Sequence, residues 1–159
     1  MSKEPKENGA QDRWLSVCLR ILIGLIFVYA GFGKASAPAE EFAAVIEAYY
    51  LLPPDWTLPF AQVLPWLELI FGVYLIAGYW TRLSAAAVAA MLAMFVIALG
   101  SALFRHIPLE NCGCFGPGLH LDPKIGVFSD AVLLGCSLWL AWTPASRWSA
   151  DQWVAHGRI

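Results

Sequence analysis

Two cysteines one residue apart carry the most explicit chemistry in the chain, in the run Cys112-Gly113-Cys114-Phe115-Gly116. One thiolate of such a pair can attack a substrate disulfide, and the other can resolve the mixed disulfide that forms. Closing Cys-x-Cys makes a small, strained ring, and strained exposed disulfides are the oxidising, exchangeable kind. Gly113, Gly116 and Gly118 permit tight turns that leave the sulfurs open to a docking partner. Arg105, His106 and Lys124 lie nearby in sequence and are candidates to stabilise a thiolate. Two further readings stand beside exchange. The pair could be a static disulfide that staples its loop. It could also hold zinc, since His106 precedes Cys112 by six residues and His120 follows Cys114 by six. Two thiolates and two imidazoles suffice for that metal, although the spacing departs from the usual zinc-ligand pattern.

Glu68 is the second candidate. It sits within an apolar run about eight residues from its start, roughly 12 Å along a helix at 1.5 Å per residue. An ionisable group at that depth faces a bundle interior or a cavity. It reads either as a proton-handling or quinone-contacting group beneath the cysteine loop, or as an anchor between helices, protonated or paired with Lys34. Asp130 reads either as sharing the role of Glu68 or, in preference, as a helix-start cap together with Ser129, and Arg20 as a snorkelling side chain near a membrane interface. Cys18 and Cys136 read as packing residues rather than a second redox pair. Gly31-Phe-Gly33-Lys34-Ala-Ser36 lacks the spacing and the preceding strand of a phosphate loop. Three histidines, at 106, 120 and 156, supply no hydrolytic triad.

The elements that position these groups follow from composition. Of 159 residues, 59% are apolar and only 14% charged, against roughly 25% charged in soluble domains. A net charge of −2 and the lack of a basic patch exclude a nucleic-acid binder. Four apolar runs reach the roughly 20 residues that cross a bilayer, namely Trp14–Gly33, Phe60–Tyr79, Leu83–Phe104 and Ile125–Trp142. The expected fold is all-α, an integral membrane four-helix bundle. Residues 1–12 form a disordered cytoplasmic tail, 13–145 the transmembrane domain and 146–159 a second cytoplasmic tail. The polar N-terminal segment does not look like a cleaved signal, so the first span is retained.

Lys and Arg give the orientation. Lys3, Lys6, Arg13, Arg20, Arg82, Arg147 and Arg158 fall on one side, and Lys34, Arg105 and Lys124 on the other. That bias puts both termini in the cytoplasm and the cysteine loop outside, where disulfides persist. Between the first two spans, Phe42, Val45, Ile46 and Tyr49 recur at helical spacing within Glu40–Tyr50. They predict a short amphipathic helix on the outer surface. The paired prolines of Leu51-Leu-Pro-Pro54 end it. Spans two and three, joined by Trp80-Thr-Arg82, must be antiparallel neighbours, with the alanines of 85–90 allowing close approach.

Several of these motifs together resemble a known family. Gly31-Phe-Gly-Lys34 with Pro38, Tyr50-Leu-Leu-Pro53, Pro65-Trp-Leu-Glu68 with Gly72, and Cys112-Gly-Cys-Phe-Gly116 resemble the MauE-type branch of the DoxX-like membrane proteins, over about Arg20–Trp142. The resemblance implies a multi-pass protein of the bacterial inner membrane that supports maturation of methylamine dehydrogenase. The substrate would be the secreted, disulfide-rich small subunit, and a thioredoxin-like protein outside the cytoplasm would be the partner. Cys112 and Cys114 would be the redox motif, and Lys34 and Glu68 match family positions. The arrangement also resembles vitamin K epoxide reductase and the bacterial quinone-linked disulfide formers, which makes quinone a candidate cofactor. Those enzymes use Cys-x-x-Cys and a second cysteine pair, whereas this chain has Cys-x-Cys and no plausible second pair. The competing class is a non-enzymatic assembly factor whose cysteine loop is a staple or zinc clip.

Overall fold

A computed structural model describes residues 8–107, Gly113 and 122–142, with side chains from Trp14 onward. Cys112, Cys114 and His120 lie outside the described residues. Among the described residues there are five α-helices and no strand: α1 Asn8–Ala35, α2 Ala39–Ala48, α3 Pro54–Ala77, α4 Thr81–Phe104 and α5 Pro123–Trp142. All but α2 are long and apolar enough to cross a membrane. Their outward faces stay apolar, with Ile97, Phe128 and Phe104 all exposed, as contact with lipid tails requires. The fold is a helical membrane bundle, as expected.

Two helix starts differ from the sequence reading. α1 begins at Asn8, so 8–12 are helical although they belong to the segment expected to be a disordered tail. Ala10, Gln11 and Arg13 are good helix formers and carry the helix beyond its apolar stretch. α3 begins at Pro54, six residues before the apolar run, and keeps Pro59 and Pro65 inside it. A proline at the first helical position needs no N–H partner. Membrane helices tolerate interior prolines because neighbouring groups re-satisfy the freed carbonyls.

The expected neighbours α3 and α4 are in contact. The tightest contacts join α1 to α3 and α4 to α5, while the sequential neighbours α3 and α4 meet less extensively. Glycines explain the first pair. A Cβ on Gly24 would lie 2.5 Å from Ile76 Cγ1 and 2.8 Å from the Gly72 carbonyl oxygen, and one on Gly31 would lie 2.8 Å from the Pro65 carbonyl oxygen. Spaced seven apart, Gly24 and Gly31 keep one face of α1 bare so that the backbones can touch. On α4, Ala85 and Ala89 are buried, but Ala86 and Ala90 are exposed. The α3–α4 connection turns on two left-handed residues, Gly78 at φ 70° and Trp80 at φ 46°.

α2 is amphipathic, with the expected apolar face. It is a core element rather than a helix lying only on the surface, since Phe42, Ala43 and Ile46 join the main hydrophobic cluster. Two polar ties hold it there. The Thr57 hydroxyl lies 2.9 Å from Glu47 Oε1, and the Arg105 guanidinium donates to the Tyr49 carbonyl. Arg105 therefore links the end of α4 to the end of α2.

Candidate functional site

Two chemical features abut α2, a buried ion pair at Phe42 and the middle of the cysteine motif at Val45. Lys34 lies in the last turn of α1, fourteen residues after Arg20, and the buried residues Ile23, Phe27 and Ala30 of the same face lie between them. Its Nζ donates to Glu68 Oε1 at 2.9 Å and Oε2 at 2.8 Å. Both side chains are essentially inaccessible, at 0% and 1% exposure. The ammonium also sits 5.5 Å from the centroid of Phe42 on α2 and 5.3 Å from that of Phe95 on α4. The carboxylate and the two ring faces thus enclose the charge, each offering negative potential. Of the two sequence readings of Glu68, the pairing with Lys34 is the geometry observed.

Asp130 does not cap its helix. α5 starts at Pro123, and Asp122 Oδ1 accepts from the Lys124 N–H at 2.8 Å, which is the capping contact. Asp130 lies two turns further on, 3% exposed, and shares a cavity of about 20 Å³ with Glu68, Phe27, Leu92 and Phe95. That volume holds one or two water molecules, since each needs roughly 10–15 Å³ on this measure. The sequence carried a signal for this position: Gly126, Asp130 and Ser137 fall on one helical face, and all three are buried. Arg20, expected to snorkel, is instead 5% exposed on the interior face of α1. Its place on the face of Ile23 and Phe27 turns it inward. Cys18 is exposed and Cys136 half-buried, and both are free thiols on different helices.

The outer part of the site centres on Gly113. Its φ of +67° is left-handed, and a Cβ there would fall 2.5 Å from Val45 Cγ1. Gly113 is buried. Glycine is required twice over, for the backbone angle and for the contact with α2. Val45 lies one turn from Phe42, so a continuous series of contacts runs from Gly113 through α2 to Lys34 and Glu68. Of the groups named as thiolate stabilisers, Arg105 is engaged with Tyr49 and Ser101, and His106 is exposed at φ 54°. No cluster of three metal-ligating side chains occurs among the described residues. The proposed set of His106, Cys112, Cys114 and His120 falls mostly outside them.

Residues 12–143 match the family described as Methylamine utilisation protein MauE, which is most of the chain. The chain belongs to the MauE family. A MauE protein of Methylophilus methylotrophus is 29% identical over 141 residues, covering 87% of this chain and 73% of the relative. One from Methylorubrum extorquens is 36% identical over 80 residues, covering 50% of this chain and 43% of the relative. No solved structure matches. The MauE match covers α2 to α5 and α1 from residue 12 onward, and therefore both halves of the site, the Lys34–Glu68 pair and the cysteine motif.

Proposed function

We propose that this chain is a membrane thiol–disulfide protein of methylamine utilisation. Through Cys112 and Cys114 it exchanges electrons with a thioredoxin-like protein outside the cytoplasm and so supports maturation of a secreted, disulfide-bonded subunit. The observation that carries the reading is Gly113, fixed by its left-handed backbone against Val45. The residues bonded to it on either side are the two cysteines. Rigid support of a reactive pair is what repeated, directed exchange demands, because docking geometry selects which sulfur is attacked. The membership in MauE and the names of its relatives support the metabolic setting.

In this reading both termini are cytoplasmic and residues 13–145 form the membrane domain of a bacterial inner-membrane protein. In the same reading, the resemblance of the Gly31–Lys34 and Pro65–Glu68 motifs relates the chain to the wider DoxX-like group. Thiol oxidation releases protons, and Glu68 with Lys34 and Asp130 forms the buried polar cluster that handles them. The reaction is a balanced exchange that can run in either direction: a thiolate of one protein attacks the disulfide of the other to form a mixed disulfide, and the attacker's second thiol displaces the remaining sulfur, closing one disulfide and leaving the other protein a dithiol.

The test is Cys112→Ser with Cys114→Ser in full-length protein in membranes, with acid quenching and alkylation before and after reduction. The expected result is an unchanged melting temperature with complete loss of exchange with a thioredoxin-like protein. Wild-type thiols that stay oxidised whatever the partner's state would overturn exchange in favour of a staple. Thiols that become alkylatable only after chelation would overturn it in favour of a metal clip.

A further inference from the structure

A crevice of about 550 Å³ lies between α2, α3 and α4. That volume is within the range of ligand sites. Tyr49 carries the one hydroxyl of its lining among the described residues, and the other lining side chains are apolar. Ala90 and Ile97 of α4 line it and are exposed on the face that meets lipid, so it opens sideways into the bilayer. Such a cleft takes an apolar chain. What the chain is attached to is set by the group that stands at the end of the crevice, and that group is Arg105. Its guanidinium donates to the carbonyl of Tyr49, a lining residue, and to Ser101 on α4. Those bonds use Nε and Nη2, while Nη1 makes none and the residue is exposed. A permanently charged fork is thus anchored at the rim with N–H donors to spare, the chemistry that recognises a phosphate.

Height and length agree with a phospholipid. Tyr50 follows Tyr49, and Trp56 precedes the Thr57 that bonds to α2; they are 76% and 66% exposed. Exposed aromatic side chains of this kind mark the headgroup level. From Ala90 to Arg105, α4 advances roughly 22 Å at 1.5 Å per residue. One leaflet with its headgroups is about 20–22 Å thick, half of a whole bilayer. A phosphate on Arg105 therefore belongs to a molecule whose tail ends near Ala90. We infer that the α2–α3–α4 crevice binds one phospholipid, with an acyl chain in the cleft and its phosphate on Arg105. An uncharged lipid would fill the cleft and leave the rim cation without its anion. An anionic headgroup fits best, because the ammonium of a zwitterionic one competes with the guanidinium for the phosphate. The bound chain covers Phe42 and Phe95, the two rings that flank the Lys34 ammonium, and so seals the ion pair on that side. This site is independent of the cysteine chemistry.

Native mass spectrometry of the full-length protein in detergent micelles, titrated with phosphatidylglycerol, tests the site. One saturable lipid adduct per chain is expected. Arg105→Gln should weaken it at least about tenfold, the loss of one charged hydrogen bond. Arg105→Lys keeps the charge and should weaken it less. Ala93→Trp fills the cleft and should abolish the adduct. Ala90→Trp is the companion variant, since its exposed side chain can enlarge without disturbing packing, and melting curves verify each fold. Diacylglycerol with the same chains should compete poorly; this arm uses the wild-type protein and stands whatever the variants do to folding. An adduct that survives Arg105→Gln and both tryptophan variants overturns the site. Displacement by diacylglycerol or ubiquinone as readily as by phosphatidylglycerol overturns the recognition of phosphate and leaves a general apolar groove. Displacement by inorganic phosphate alone overturns the lipid as occupant and leaves an anion site.

Discussion

Lys34→Met is expected to destabilise the protein by about 3–5 kcal/mol, the usual cost of stranding one partner of a buried ion pair. Glu68 would keep its carboxylate at 1% exposure with its two short bonds to Nζ removed. The rings of Phe42 and Phe95 would lose their cation as well. Pairing the change with Glu68→Met should restore most of the loss, since replacing a whole buried pair by apolar groups of similar size is near neutral. Melting temperatures of the two single variants and the double variant form the required cycle. If the single variant melts like the wild type, the pair is not a structural bond in the membrane. Glu68→Gln separates function from stability. It keeps an oxygen acceptor for Lys34 but cannot give or take a proton. The rate of thiol oxidation should therefore fall and lose its dependence on pH; an unchanged rate profile removes the proton role.

Gly113→Ala is the second large effect. The left-handed backbone alone costs a residue with a Cβ about 1–2 kcal/mol, which is roughly tenfold in an equilibrium. The new Cβ would also meet Val45 Cγ1 at 2.5 Å, and a valine on a packed helix cannot swing away. The loop should leave α2, and exchange with a thioredoxin-like protein should slow by more than tenfold while the helices remain folded. Val45→Ala removes the clash but not the φ of +67°, so the double variant should recover exchange only in part. Full recovery would mean that the contact alone matters, and no effect of Gly113→Ala would mean that docking tolerates a displaced loop.

Much of this was legible in the chain because bilayer thickness fixes helix length. Four apolar runs of about 20 residues, broken only by Arg20, Glu68 and Asp130, read as spans, and the pairing of Lys34 with Glu68 stood among the readings open for that carboxylate. What failed to show was most of the packing between helices. The reading of α3 from Phe60 treated the paired prolines 53 and 54 as a stop, although Pro54 opens the helix. Asp130 was assigned to a helix end because its polar neighbour Ser129 suggested a cap, whereas the stripe of Gly126, Asp130 and Ser137 marks an inward face. The apolar crevice between α2, α3 and α4 had no local signature, because its walls come from three helices.

The marriage of α1 to α3 rather than to its sequence neighbour α2 has a consequence for biogenesis. Lys34 emerges from the ribosome 34 residues before Glu68. At 5–20 residues per second, that is about 2–7 s during which the first helix is in the membrane without its counter-ion. The position of Lys34 in the last turn of α1 makes the wait tolerable, because a long side chain at a helix end can reach the headgroups. Only when Pro65 and Gly72 arrive can the bare glycine face of α1 be covered and Lys34 meet Glu68. Assembly of this bundle is therefore ordered in time, with the arrival of α3 as the event that commits the nascent chain to its final form.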